Sequence, residues 1–280
     1  MKTFAMPPNR SNSLPSRLHP TYLRVEAELN KLRAWEIRSC SSSETLTAVT
    51  IQIGLVGLSE VYRCVEELVY SSLSQHGGLL EDALNHSIKL LDTCGIVRDT
   101  QQKLKKQVFC LQSSLRRRGT ESHDILSYLS LRKKSKKDAS KCIRELKRSE
   151  KKCMHVPSLK DHNLKMMVKV LKEVNVMTSH VIRSLLLFLS SPGSTFKTRR
   201  GGCSLISKLR PSEKTKKVLN EVESVDDALF CILHGREEVT MAHRKLDNLL
   251  ISLDCIENGL DAVFRRLIQY RVSILNVLTR

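Results

Sequence analysis

The sequence predicts an all-α protein, and three observations carry that expectation. Hydrophobic residues make up 41% of the 280-residue chain while aromatic ones make up only 4%, which suits helix-on-helix packing, because strands draw on β-branched and aromatic side chains. Six of the seven prolines fall within residues 1–20 or 191–211, so the stretches between run almost free of the strongest helix breaker. Apolar residues recur there every three or four positions, the period of a helix with one buried face. The expected architecture is an extended or kinked multi-helix bundle with long amphipathic helices. Residues 1–20 form a flexible Ser/Pro-rich arm, and residues 21–280 form one helical domain with a mobile basic loop at about 191–211.

Each element has its own signal. Leu23, Ala27, Leu29, Leu32 and Ile37 give a first helix from Thr21 to Arg38, ended by a serine-rich stretch. Ser43 and Glu44 start a second helix that runs to about Leu73. Its apolar residues lie on more than one face, which marks a central buried helix, and Gly54 and Gly57 share one side where a neighbour can approach closely. Gly77-Gly78 closes that segment.

A third helix covers 79–118, with Leu80, Leu84, Ile88, Leu91 and Gly95 as one stripe and Leu104, Val108, Leu111 and Leu115 as its continuation. Glu81 and Asp82 in its first turn and Arg116, Arg117 and Arg118 in its last suit the helix dipole. Residues 121–155 read as a polar helix or coiled-coil arm, ended by Pro157. Residues 160–190 return to a strong apolar period. The remainder gives helices at 213–234, 236–257 and 259–279, with Leu260, Phe264, Leu267, Arg271, Ile274 and Leu278 at heptad-like spacing in the last.

Lys and Arg outnumber Asp and Glu by 47 to 29, a formal charge of +18. That charge attracts polyanions without choosing among nucleic acid, an anionic membrane face and an acidic partner. No nucleic-acid reading module is present, so nucleic acid is not favoured. Nine dispersed cysteines without a C-x-x-C pair argue against a disulfide framework or zinc site and for a reducing, intracellular compartment. The cytoplasm is the first expectation, with the nucleus or a membrane face open to so basic a chain. The run Leu185 to Leu189 falls far short of a bilayer span.

No phosphate-cradling glycine loop, H-E-x-x-H or nucleophile elbow occurs; no catalytic residue, cofactor site or metal site is assigned. Cys153, His155 and His162 flank Pro157 but match zinc spacings poorly. Two segments carry more information. Arg10, Ser11, Ser13 and Pro15 match R-S-x-S-x-P, the pattern bound by 14-3-3 proteins once the second serine is phosphorylated, because a phosphate suits a cluster of receptor arginines. Residues 132–152 hold 11 basic residues against 3 acids. Their candidate polyanion contacts are Arg132, Lys133, Lys134, Lys136, Lys137, Lys147, Arg148, Lys151 and Lys152. The plainer alternative is the solvated face of a long helix.

Arg10 to Pro20 with Glu26 to Glu36, Leu90 to Asp99, and Val263 to Thr279 together resemble one plant-specific family, the BYPASS-related proteins. The resemblance implies a helical protein linked to root and shoot development, with no established enzyme activity and no catalytic residues to carry over. The expected function is therefore that of a non-enzymatic intracellular regulatory or scaffolding protein. The alternative is a peripheral membrane protein that binds anionic lipid through its basic face.

Overall fold

The computed structural model describes residues 20–40, 45–72, 77–117, 122–153, 162–191, 218–235 and 239–279. Among them are seven α-helices and no strand: α1 (Pro20–Cys40), α2 (Ala48–Ser72), α3 (Gly77–Arg116), α4 (Ser122–Cys153), α5 (His162–Ser190), α6 (Glu221–Leu233) and α7 (Val239–Leu278). The all-α expectation holds. The arm at 1–19 and nearly all of the 191–211 loop lie outside the described residues.

Helix α7 supplies the spine. Its buried residues Leu246, Leu249, Leu253, Ile256, Leu260, Val263, Leu267, Tyr270, Ile274 and Val277 alternate steps of three and four. That spacing keeps one seam inward along the whole helix. Helices α2, α7, α3 and α5 pack in a ring, each against the next. Helix α1 lies across α2 and α5, α4 lies across α3 and α5, and the short α6 bridges α7 and α4. Helices α3 and α7 run antiparallel, as the pairs Arg98–Asp261 and Lys105–Glu257 show.

Helix α2 is central, as its apolar pattern predicts. Ile51, Leu55, Leu58, Val61, Tyr62 and Val65 are all fully buried. A Cβ at Gly54 would lie 2.6 Å from the Trp35 ring, and one at Gly57 would lie 2.9 Å from Leu32. Both glycines therefore let α1 approach as expected. The residues Ala48–Val69 are long and apolar enough to cross a membrane by length and composition, which the run at 185–189 is not. In this fold they pack against α1, α5 and α7. The Tyr62 hydroxyl meets Thr178 Oγ1 at 2.9 Å, and Thr178 donates in turn to the Val174 carbonyl at 2.7 Å. With the Thr178 proton so used, Tyr62 is the donor between them.

Several boundaries differ from the expectation. Helix α2 starts at Ala48, because Thr47 Oγ1 accepts from Thr50 N–H and the Glu221 carboxylate accepts from Ala48 N–H at 3.2 Å. A residue of α6 therefore caps α2. Helix α3 starts at Gly77, so Gly77-Gly78 opens a helix and Glu81 and Asp82 sit past its first turn. Its buried stripe in that half runs through Leu80, Ala83, Ser87, Leu90 and Cys94, and Ile88 is exposed.

Helix α6 starts at Glu221 behind a capping box. Glu223 N–H donates to Asn220 Oδ1 at 2.7 Å and Asn220 N–H donates to Glu223 Oε2 at 3.2 Å. That reciprocal pair fixes the first turn. Helix α7 runs unbroken through Gly259, where two helices were expected. A Cβ there would come within 3.1 Å of Leu55, so Gly259 serves the close passage of α2 over α7.

Candidate functional site

Helix α4 carries the basic segment, and its packing decides which cations reach solvent. Ile125, Tyr128, Arg132, Ser135, Ala139, Cys142 and Leu146 are buried at steps of three and four, with Leu129 buried beside them. Successive residues turn by about 100° around a helix axis. With that seam inward, Lys133, Lys137, Lys141, Arg144, Lys147 and Arg148 occupy the outward arc, with Lys134 at one edge and Lys136 at the other. All eight are exposed, and none makes an ion pair with a described residue. Asp138 and Glu145 line one side of the arc, three or four residues from Lys134, Lys141 and Arg148. From Lys133 to Arg148 this face is about 22 Å long.

Arg132 does not belong to that face. It is only 6% exposed and reaches inward to Asp226 of α6, with Nε 3.0 Å from Oδ1. Its Nη2 donates to the Ser191 carbonyl at 2.6 Å, its Nη1 donates to the Leu189 carbonyl, and the Tyr128 hydroxyl donates to Asp226 Oδ1 at 2.8 Å. Burial pulls the guanidinium down, and the charge and hydrogen bonds of Asp226 together with Tyr128 and Glu223 more than restore it. Burial, with Asp226 alongside, pushes the Tyr128 hydroxyl well above its ordinary range. A guanidinium whose donors are taken up this way is a structural clamp. Its assignment as a polyanion contact is therefore corrected.

The outward face adds two residues that composition alone did not single out, Lys141 and Arg144. The helix period about the buried seam was the signal that could have found them. The side chains of Lys151 and Lys152 lie outside the described residues. So do Arg10, Ser11, Ser13 and Pro15, and the side chains of Cys153, His155 and His162. Among the described residues no group of three His, Cys, Asp or Glu is placed to hold a metal ion.

Two described cysteines lie between α3 and α4. Burial pushes the Cys94 thiol up to about 12 and the Cys142 thiol up to about 11, with the Glu145 carboxylate adding to the second. Both are therefore poor nucleophiles at neutral pH.

The model of the family described as Protein BPS1 matches residues 54–277. No curated protein and no solved structure matches the chain. The match takes in Leu90 to Asp99 and nearly all of the closing helix, which carried part of the resemblance to the BYPASS-related proteins, and covers most of the chain. The chain belongs to the BPS1 protein family.

Proposed function

We propose that this protein is a non-enzymatic regulatory scaffold in plant root and shoot development that docks an acidic protein segment along the outward face of α4. Membership of the BPS1 family suggests the developmental role. The docking role rests on one observation: eight exposed cations on α4, none paired with a described residue. Cations one helical turn apart recur every 5–6 Å or so, the spacing at which an acidic helix presents its own i, i+4 carboxylates. No large apolar side chain interrupts the arc, so attraction and orientation come from charge.

The test is affinity capture from root tissue with the full chain and with Lys137→Glu/Lys141→Glu/Arg144→Glu. An acidic partner retained by the wild type and lost by the variant supports the reading. Identical partner sets from both would remove α4 from it.

A second reading is contact with an anionic membrane face from the cytoplasmic side. It is supported by the straight run of cations, which suits a flat headgroup plane, each cation near the surface contributing about 1 kcal/mol. Flotation with phosphatidylcholine vesicles, with and without phosphatidylserine, separates the two. Binding that needs phosphatidylserine and collapses as salt rises through physiological strength favours the membrane. A further docking element rests on sequence alone: Arg10, Ser11, Ser13 and Pro15 as a 14-3-3 site. Peptide 6–20 phosphorylated on Ser13 should bind a 14-3-3 protein, and no measurable affinity would retire that idea.

A further inference from the structure

We propose that Ser140 is a phosphorylation site that switches off the basic face of α4, an inference that rests on the docking role proposed above. Ser140 lies on the outward arc among the cations, and it is exposed. Lys136 and Lys137 lie one turn before it and Arg144 one turn after, at the i−4, i−3 and i+4 positions whose side chains adjoin it on a helix surface. Arg144 already turns back toward it, its Nε donating to the Ser140 carbonyl at 3.3 Å. The Ser140 hydroxyl donates to the Lys136 carbonyl at 2.8 Å, so it takes no part in the cationic face itself.

The covalent step is ordinary phosphoryl transfer. A serine kinase moves the γ-phosphoryl group of ATP onto Ser140 Oγ, the hydroxyl proton passes to the kinase base, and ADP leaves. Lys136 and Lys137, four and three residues before the acceptor, suit a kinase whose substrate cleft is acidic, since kinases select substrates by such charge patterns. The product carries about −1.5 to −2 charges and three acceptor oxygens. Set among Lys136, Lys137 and Arg144, it recruits those three cations into intramolecular pairs and repels an incoming carboxylate. The charge of those three cations falls from +3 to about +1, and the other five cations of the face keep theirs.

Presentation of Ser140 to a kinase needs local opening of α4, and the seam beneath it makes that opening cheap. On either side of Ser140 the fully buried residues are Ser135, Ala139 and Cys142, all small, with Ile143 only partly buried against the core. The Arg132 clamp, Tyr128 and Leu146 lie further off. Segments with little apolar burial open at the low end of a protein's stability range.

The experiment treats the full wild-type chain and Ser140→Ala with ATP and a basophilic serine kinase and locates phosphate by mass spectrometry. It then measures binding to a polyglutamate peptide as long as the basic face. The expected result has four parts. Untreated protein binds, and binding is lost in Lys137→Glu/Lys141→Glu/Arg144→Glu. Treated wild type carries phosphate on Ser140 and binds at least about tenfold more weakly. Treated Ser140→Ala keeps its affinity, whatever other serines are modified. If untreated protein binds through the face but Ser140 takes no phosphate, or takes it with affinity unchanged, the switch is overturned and the docking role stands. If untreated protein shows no binding that depends on the face, both are overturned. Thermal melts of every sample separate loss of charge from loss of fold.

Discussion

Arg132 of α4 and Asp226 of α6 form a buried two-pronged ion pair, with Nε 3.0 Å from Oδ1 and Nη2 3.2 Å from Oδ2. The same guanidinium holds the Leu189 and Ser191 carbonyls at the end of α5. One side chain therefore fastens three helices where the chain leaves α5 and where it enters α6. Removing one partner of such a pair strands the other in a poorly solvated site. Arg132→Met should cost about 3–5 kcal/mol, read as a lower urea midpoint with an unchanged slope. Lys133→Met, one residue on and exposed, should stay within about 0.5 kcal/mol of wild type. Equal midpoints for the two variants would refute the clamp.

The glycines give a graded series. Gly54→Ala would drive a Cβ to 2.6 Å from the indole of Trp35, whose Nε1 donates to the Thr50 carbonyl at 2.7 Å. A ring held at both ends cannot yield easily, and a loss of about 1–3 kcal/mol is expected. Gly259→Ala meets Leu55 at 3.1–3.2 Å, so the gain in helix propensity is offset and the net change is small. Gly95→Ala meets nothing within 4 Å and should stabilise by up to about 1 kcal/mol. Melting temperatures that fail to rank Gly95→Ala above Gly259→Ala above Gly54→Ala would contradict this packing.

Glu221 caps a helix other than its own. Glu221→Ala removes the acceptor for Ala48 N–H and should cost about 1 kcal/mol, the usual loss of an N-cap. Amide exchange should quicken first at the start of α2. Unchanged protection there, with the loss spread evenly over the chain, would place the effect elsewhere.

His86 sets a pH response. Burial, with the Lys89 cation adding to it, holds the imidazole below its ordinary range. Between the folded value and about 6.5 the unfolded chain binds a proton that the folded chain does not. Stability from this group is therefore fully present above about pH 6.5 and declines as the pH falls toward the folded value. His86→Gln should flatten the melting temperature between about pH 5 and 7. A slope parallel to wild type would show that other groups dominate.

The sequence by itself determined the helices, because helical period and proline placement are local properties of the chain. The spans of α1, α4 and α5 follow from it within a few residues, as does the close approach at Gly54 and Gly57. It also marked the basic segment as unusual. It did not determine which residues of that segment face water. Arg132 and Lys133 are neighbours of like charge, and only Asp226, 94 residues away in sequence from Arg132, draws one of them inward.

The same holds for the breaks. Gly259 reads as a helix stop until Leu55 of α2 lies across it, and contact with that residue outweighs a local cost of about 1 kcal/mol. In the N-terminal half of α3 two apolar phases compete, and packing in the ring buries Leu90 and Cys94 while leaving Ile88 exposed. Local propensity chose the helix at each of these places. Burial against a partner remote in sequence chose its face, its ends and the cations it presents.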